Sequence, residues 1–149
     1  MSEHIVKSHN KTLLLYHLGC PTKYRREVFS VEVEKSLKEV CEAIAERYEI
    51  RFVEIGVDGH HVHFLVQSVP VLSSERIVKI TKNLTAKEIF KKHQEVKKYL
   101  WGGHFWTSGY YMNTVGAHGN EKVIKEYVEN QGRKYRQVYR GQVELFDQI

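Results

Sequence analysis

From Ile50 to Val66 the chain runs out and back across one tight turn, and no other stretch constrains its fold so closely. Ile50 to Val57 alternates at the two-residue period of a strand, and Asp58-Gly59 is a strong hairpin-turn signal. The residues from His60 to about Gln67 then return as an apolar strand, His60-His61-Val62-His63-Phe64-Leu65-Val66-Gln67. Successive side chains of a strand point to opposite faces. His61 and His63 are therefore expected to share one face, with Val62, Phe64 and Val66 on the other. The same alternation puts His60 opposite the pair.

The elements around this hairpin fix the rest of the architecture. Thr12 to Cys20 (TLLLYHLGC) is an apolar run of strand length, followed by the basic loop Lys23-Tyr24-Arg25-Arg26. Between Ser30 and Tyr48, the residues Val33, Leu37, Val40, Cys41, Ile44 and Ala45 recur at helical spacing. After Pro70, Ser73 or Ser74 can cap a helix running towards Lys82. Thr85-Ala86-Lys87-Glu88 has capping-box spacing, which predicts a second helix starting there in place of one helix running through. Gly102-Gly103 breaks the chain before Phe105-Trp106, and the turn Thr107-Ser108-Gly109 leads into a strand from Tyr110 to Val115. Gly116 and Gly119 flank a flexible connection, and Asn120 can cap a final helix from Glu121 to about Gln131, stopped by Gly132. The first six pieces fit an α+β, ferredoxin-like (RRM-like) β-α-β-β-α-β arrangement. This is an antiparallel sheet with helices on one face, to which a C-terminal helix is added. The first strand and the histidine strand are expected to be the central pair, with the histidine face open to the terminal helix.

At 149 residues the chain suffices for a single domain, 1–149, with a real core and no length to spare for two. Hydrophobic residues at 42% and charged residues at 28% are ordinary globular proportions and argue against disorder. The formal net charge of +5 is compatible with a nucleic-acid partner without demanding one. Cys20 and Cys41 are too few for a disulfide scaffold and match no zinc spacing, so both are expected as buried small hydrophobes. The N-terminal Met1-Ser2-Glu3-His4-Ile5-Val6-Lys7 lacks the apolar core of a secretory signal, and no stretch reaches transmembrane length. A soluble, cytoplasmic protein with no membrane partner is expected.

Two neutral imidazoles side by side suit Mn, Zn, Fe, Ni or Cu and leave most coordination positions open. Such a pair on a strand also occurs as two polar residues on a solvated face. Tyr127 and Gln131, four residues apart, share a face of the last helix. The Gln131 carbonyl can complete a His-His-Gln set, and Tyr127 can then reach a substrate atom held at the same centre. Alternatively, Tyr127 is a core residue among Val123, Ile124 and Val128, and Gln131 is solvated. A tyrosine hydroxyl, whose ordinary pKa is about 10, attacks poorly unless its electrophile is strongly polarised. A divalent ion on a phosphodiester supplies that polarisation and stabilises the leaving 3′-oxygen. The product, a phosphotyrosine, stores the bond for rejoining, which suits strand breakage and joining better than hydrolysis.

A His-x-His strand followed by a helix with Tyr-x-x-x-Gln resembles the HUH endonuclease superfamily. The nearest likeness is to its single-tyrosine transposases, the IS200-like class of insertion sequences with their palindromic-repeat-associated relatives. Further stretches carry the resemblance over nearly the whole chain and in order. They are Tyr16-His17, Pro21-Thr22-Lys23-Tyr24-Arg25-Arg26, Asp58 to Val66, Phe105-Trp106, Gly109-Tyr110-Tyr111, Thr114-Val115-Gly116 and Tyr127-Val128-Glu129-Asn130-Gln131. The resemblance implies that His61, His63 and Gln131 hold a divalent ion, Mg²⁺ or Mn²⁺, and that Tyr127 is the nucleophile. It also implies single-stranded DNA with a subterminal hairpin as substrate, a 5′-phosphotyrosine with a free 3′-OH, and a homodimer whose tyrosine helix can complete the partner's site. Many relatives carry Lys-Gly where this chain has Lys82-Asn83, a departure that bears on hairpin contacts.

Basic residues offer a DNA surface in three places. Lys23, Arg25 and Arg26 lie in the first loop, and Arg76, Lys79 and Lys82 on the helix after the hairpin. Arg133, Lys134 and Arg136 follow the last helix. Tyr24, Tyr135 and Tyr139 are interleaved with them and can stack on unpaired bases. Each run can equally be a solvated face. Leu65 stands where a histidine-triad hydrolase needs its third histidine, which argues against that activity. Two alternatives stay open: a domesticated relative that processes chromosomal palindromic repeats, and a non-catalytic nucleic-acid-binding module on the same sandwich.

Overall fold

The computed structural model describes residues 14–100, 102–116 and 136–140. Strand β1 (Leu14–Pro21) leads through a short 3-10 turn, Lys23–Arg25, to helix α1 (Val31–Arg47). The hairpin follows as β2 (Ile50–Asp58) and β3 (His61–Ser68). Then come α2 (Ser74–Lys92), the single turn α3 (Val96–Tyr99), β4 (Tyr111–Gly116) and β5 (Arg136–Arg140). The sheet is antiparallel throughout, in the order β4-β1-β3-β2-β5. β1 and β3 are neighbours and β3 is central, as the element order implied. No helix among the described residues is long and apolar enough to cross a membrane. The predicted helix from Glu121 to Gln131 lies outside the described residues.

Period-two alternation builds one fully apolar sheet face. Tyr16, Leu18 and Cys20 of β1, Val62, Phe64 and Val66 of β3, and Ile55 and Val57 of β2 pack against α1 and α2. The helices contribute Val33, Leu37, Val40 and Ile44 from α1, with Ile77, Ile80 and Ile89 from α2. Helix caps begin both: the Ser30 hydroxyl accepts from the Val33 N–H, and the Ser73 hydroxyl from that of Arg76. Glu32 and Glu34 in α1 and Glu75 in α2 complement the positive helix ends. Between the helices, Ser36 Oγ lies 2.7 Å from His93 Nε2, and Lys92 Nζ lies 3.7 Å from Glu39 Oε2. Both cysteines are buried in this core, and burial pushes the Cys20 thiol up to about 12 and that of Cys41 well above its ordinary value.

Two expectations need correction. The capping box at Thr85 does not start a helix: α2 runs unbroken through it to Lys92. The Thr85 hydroxyl donates to the Thr81 carbonyl at 2.6 Å and accepts from Trp106 Nε1 at 3.0 Å, so its capping capacity is committed elsewhere. The sheet also gains a fifth strand, β5, in a stretch that the sequence marks only as part of a basic surface with interleaved tyrosines. Arg136-Gln137-Val138-Tyr139-Arg140 is short and charged, as edge strands that resist aggregation tend to be, and this hides the strand signal.

Trp106 anchors the segment between α3 and β4. It is buried against Phe64, Phe29 and Phe105, and Thr22 pairs with it as an isolated bridge. Lys23 N–H donates to the Phe105 carbonyl and Thr107 N–H to the Pro21 carbonyl, at 2.8 and 3.0 Å. A Thr85→Val substitution keeps the shape but leaves the buried indole N–H without its acceptor. It should lower stability by about 1–3 kcal/mol, read as a reduced urea midpoint, while Thr85→Ser should recover most of the loss. Equal midpoints for all three proteins would show that this bond contributes nothing.

Candidate metal centre

β3 presents His61 and His63 on the sheet face away from the helices, both half-buried, while Val62, Phe64 and Val66 are fully enclosed on the other. The two imidazole planes are within 20° of parallel and their centroids are 6.4 Å apart. His63 is the more central of the two. Its register partner is Gly19 on β1 and Gly56 on β2, so no side chain stands directly across from it on either neighbouring strand. His17, one cross-strand diagonal away, brings Nε2 to 3.0 Å from His63 Nδ1, and the two rings stack at 5.2 Å and 15°. The edge of Tyr111 closes on His17 from β4 at 5.8 Å. The sequence shows His17 only as part of a family motif. Placing it beside His63 requires the β1–β3 register, which no local pattern supplies.

His61 has a different neighbour. Arg25 Nη1 donates to His61 Nε2 at 3.1 Å, and a guanidinium has no acceptor, so His61 must be neutral with its proton on Nδ1. Burial, then the adjacent His60 and Arg25, lower the His61 pKa against the opposing pull of Asp58. Neutral imidazole is the form that binds metal, but with Nε2 accepting from Arg25 its lone pair is committed until the guanidinium moves aside. Arg25 reaches this position from a left-handed backbone, φ 49°, next to Tyr24 at φ 59°. Such residues cost on the order of 1–3 kcal/mol each and persist where surroundings over-determine them. Here Arg25 N–H donates to the Thr22 carbonyl, while Thr22 N–H donates to the His60 carbonyl and its hydroxyl to the Arg26 carbonyl. His60 differs from expectation: it sits in the hairpin turn, where strand alternation does not apply, and its ring lies 4.4 Å from that of His61.

Two imidazoles on one rigid strand suit a divalent ion of the Mn²⁺ kind, and ligation by His61 requires Arg25 to withdraw from Nε2, which carries the one lone pair of its neutral ring. Among the described residues no group of three or more His, Cys, Asp or Glu side chains could hold a metal. Gln131 and Tyr127, expected to complete it, lie outside the described residues, as does Arg133. Of the basic residues, Lys23, Arg25 and Arg26 occupy the loop beside the histidines. Arg76 and Lys79 lie on α2, in the layer behind the sheet, and Lys79 is paired with Glu75 at 3.0 Å. Lys82 donates to the Thr107 carbonyl at 2.7 Å and lies over the Tyr110 ring. A cavity of about 820 Å³ opens between the hairpin end and α1 and α3, lined by Glu27, Asp58 and Glu95 but by neither His61 nor His63.

The comparisons with known proteins are consistent with one another. The family model described as "Transposase IS200 like" matches residues 10–131. The ISDra2 transposase TnpA of Deinococcus radiodurans is 32% identical over 121 residues, covering 81% of this chain and 86% of that protein. The transposase for insertion sequence element IS200 of Salmonella typhimurium is 25% identical over 124 residues, covering 83% and 80%. A crystal structure of a putative transposase from D. radiodurans R1 superposes with a TM-score of 0.67 at 31% identity, covering 85% of this chain and 97% of that one.

Proposed function

Because the chain belongs to the IS200-like transposase family, we propose that it cuts and rejoins single-stranded DNA bearing a subterminal hairpin, through a covalent bond to Tyr127. The observation that carries this reading is the placement of His61 and His63 on one sheet face, with the Lys23–Arg26 loop beside them. Gln131 joins His61 and His63 as the third ligand of a Mg²⁺ or Mn²⁺ ion. When bound, that ion polarises the scissile phosphate and stabilises charge on the leaving 3′-oxygen.

The residues of the chain do the rest. Lys23 and Arg26 neutralise flanking phosphates and align the strand across the histidine face. The phenol of Tyr127 loses its proton as its oxygen bonds to phosphorus. The P–O3′ bond breaks, and the 3′-oxygen takes up a proton to leave as a 3′-OH. One phosphoester bond forms for each one lost, so a second 3′-OH can reverse the step without an outside energy source. The enzyme acts as a homodimer, each tyrosine helix completing a site in its own or the partner subunit.

Hairpin oligonucleotides labelled at either end, incubated with protein and Mn²⁺ or Mg²⁺ and then denatured, test this. The label 3′ of the cut should migrate with the protein, and only with metal present. Release of both labelled fragments free of protein would instead show hydrolysis and overturn the mechanism.

A further inference from the structure

We propose that His17 is a positioning residue for His63: it fixes the ring's orientation and tautomer so that Nε2 is the nitrogen presented to the metal. The inference rests on the reading of His63 as a ligand and adds a residue to it. His17 is buried on β1, the neighbour of β3 in the middle of the sheet, where its own rotation is restricted. Its Nε2 lies 3.0 Å from His63 Nδ1, and the near-parallel stack of the two rings holds that approach in line. Gly19 stands directly across from His63, so the diagonal neighbour meets the imidazole with no side chain between them. A Cβ at Gly19 would already lie 3.8 Å from His63 Nδ1.

The direction of the bond follows from the ligand role. A ring that gives its Nε2 lone pair to a metal carries its proton on Nδ1. Nδ1–H of His63 then donates to Nε2 of His17, which keeps its own proton on Nδ1. With the bond reversed, the proton of His63 would sit on Nε2, where the ligand lone pair is needed. A hydrogen-bond partner on the second ring nitrogen is the usual way a protein orients a metal-bound histidine, and its loss typically costs 10–100-fold in metal affinity. His61 is held differently, by an arginine from an exposed turn.

The full chain can be titrated with Mn²⁺ and followed by electron paramagnetic resonance. His17→Ala should weaken Mn²⁺ binding by about 10–100-fold. His17→Gln should restore most of it, because its Oε1 reaches the position of Nε2 and can accept from His63. His17→Asn, too short to do so, should not. Nitrogen-15 spectra of the unsubstituted, metal-free chain should show His63 protonated on Nδ1, and need no variant. A His63 proton on Nε2, a Gln variant no better than Ala, or an Ala variant that binds Mn²⁺ like the parent while His63→Ala does not, each overturns the proposal. A parent chain that takes up no Mn²⁺ overturns the metal reading itself.

Discussion

Tyr127→Phe should form no protein–DNA adduct and cleave hairpin substrate at least ~10³-fold more slowly, while binding the same hairpin with unchanged affinity. The substitution keeps the ring, its volume and its helix propensity and removes one oxygen. Only a role for that oxygen can account for a loss of this size. The measurement also separates the two readings of Tyr127 that its neighbours Val123, Ile124 and Val128 leave open. A core tyrosine replaced by phenylalanine would alter the urea midpoint and spare the adduct. A nucleophile would do the opposite. An adduct of normal yield in the variant would remove Tyr127 from the mechanism.

The second large effect belongs to His63. His63→Ala should abolish measurable Mn²⁺ binding and lower metal-dependent cleavage by ~10³-fold or more, with little change in the folded circular-dichroism spectrum. The fold should tolerate the change because His63 lies on the half-exposed face, with glycines across from it on both sides, and contributes nothing to the apolar layer. His61→Ala should act in the same direction. Its loss also frees Arg25, so hairpin binding in that variant should be retained or increased. Wild-type metal affinity in His63→Ala would show that the pair is not a ligand set.

What could be read in the chain depended on how far apart the deciding atoms lie. The β2–β3 hairpin and the shared face of His61 and His63 follow from residues within a few positions of one another, and both stand in the structure. Thr85 is the opposite case. Its capping-box spacing is genuine, but Trp106, twenty-one residues away, takes the hydroxyl, and helix α2 passes through. β5 was hidden by its charge, and only the exposed backbone edge of β2 gives it a place. His17 and Arg25 reached the histidines through strand register and a left-handed turn, neither of which is a local pattern. Tyr127 and Gln131 lie outside the described residues, so their helix and their two roles rest on sequence.

The path from Thr85 through Trp106 and Thr22 to Arg25 links the buried side of the molecule to its working side. Each link is a hydrogen bond or backbone pairing, and the path passes through the buried indole of Trp106, itself part of the core. Arg25 is thus suspended from a hook driven into α2. Slack in that hook need not unfold anything to be felt: it would let the guanidinium drift from His61 while every strand kept its pairing. A survey that sorts substitutions into those that harm folding and those that harm chemistry would meet its boundary along this line.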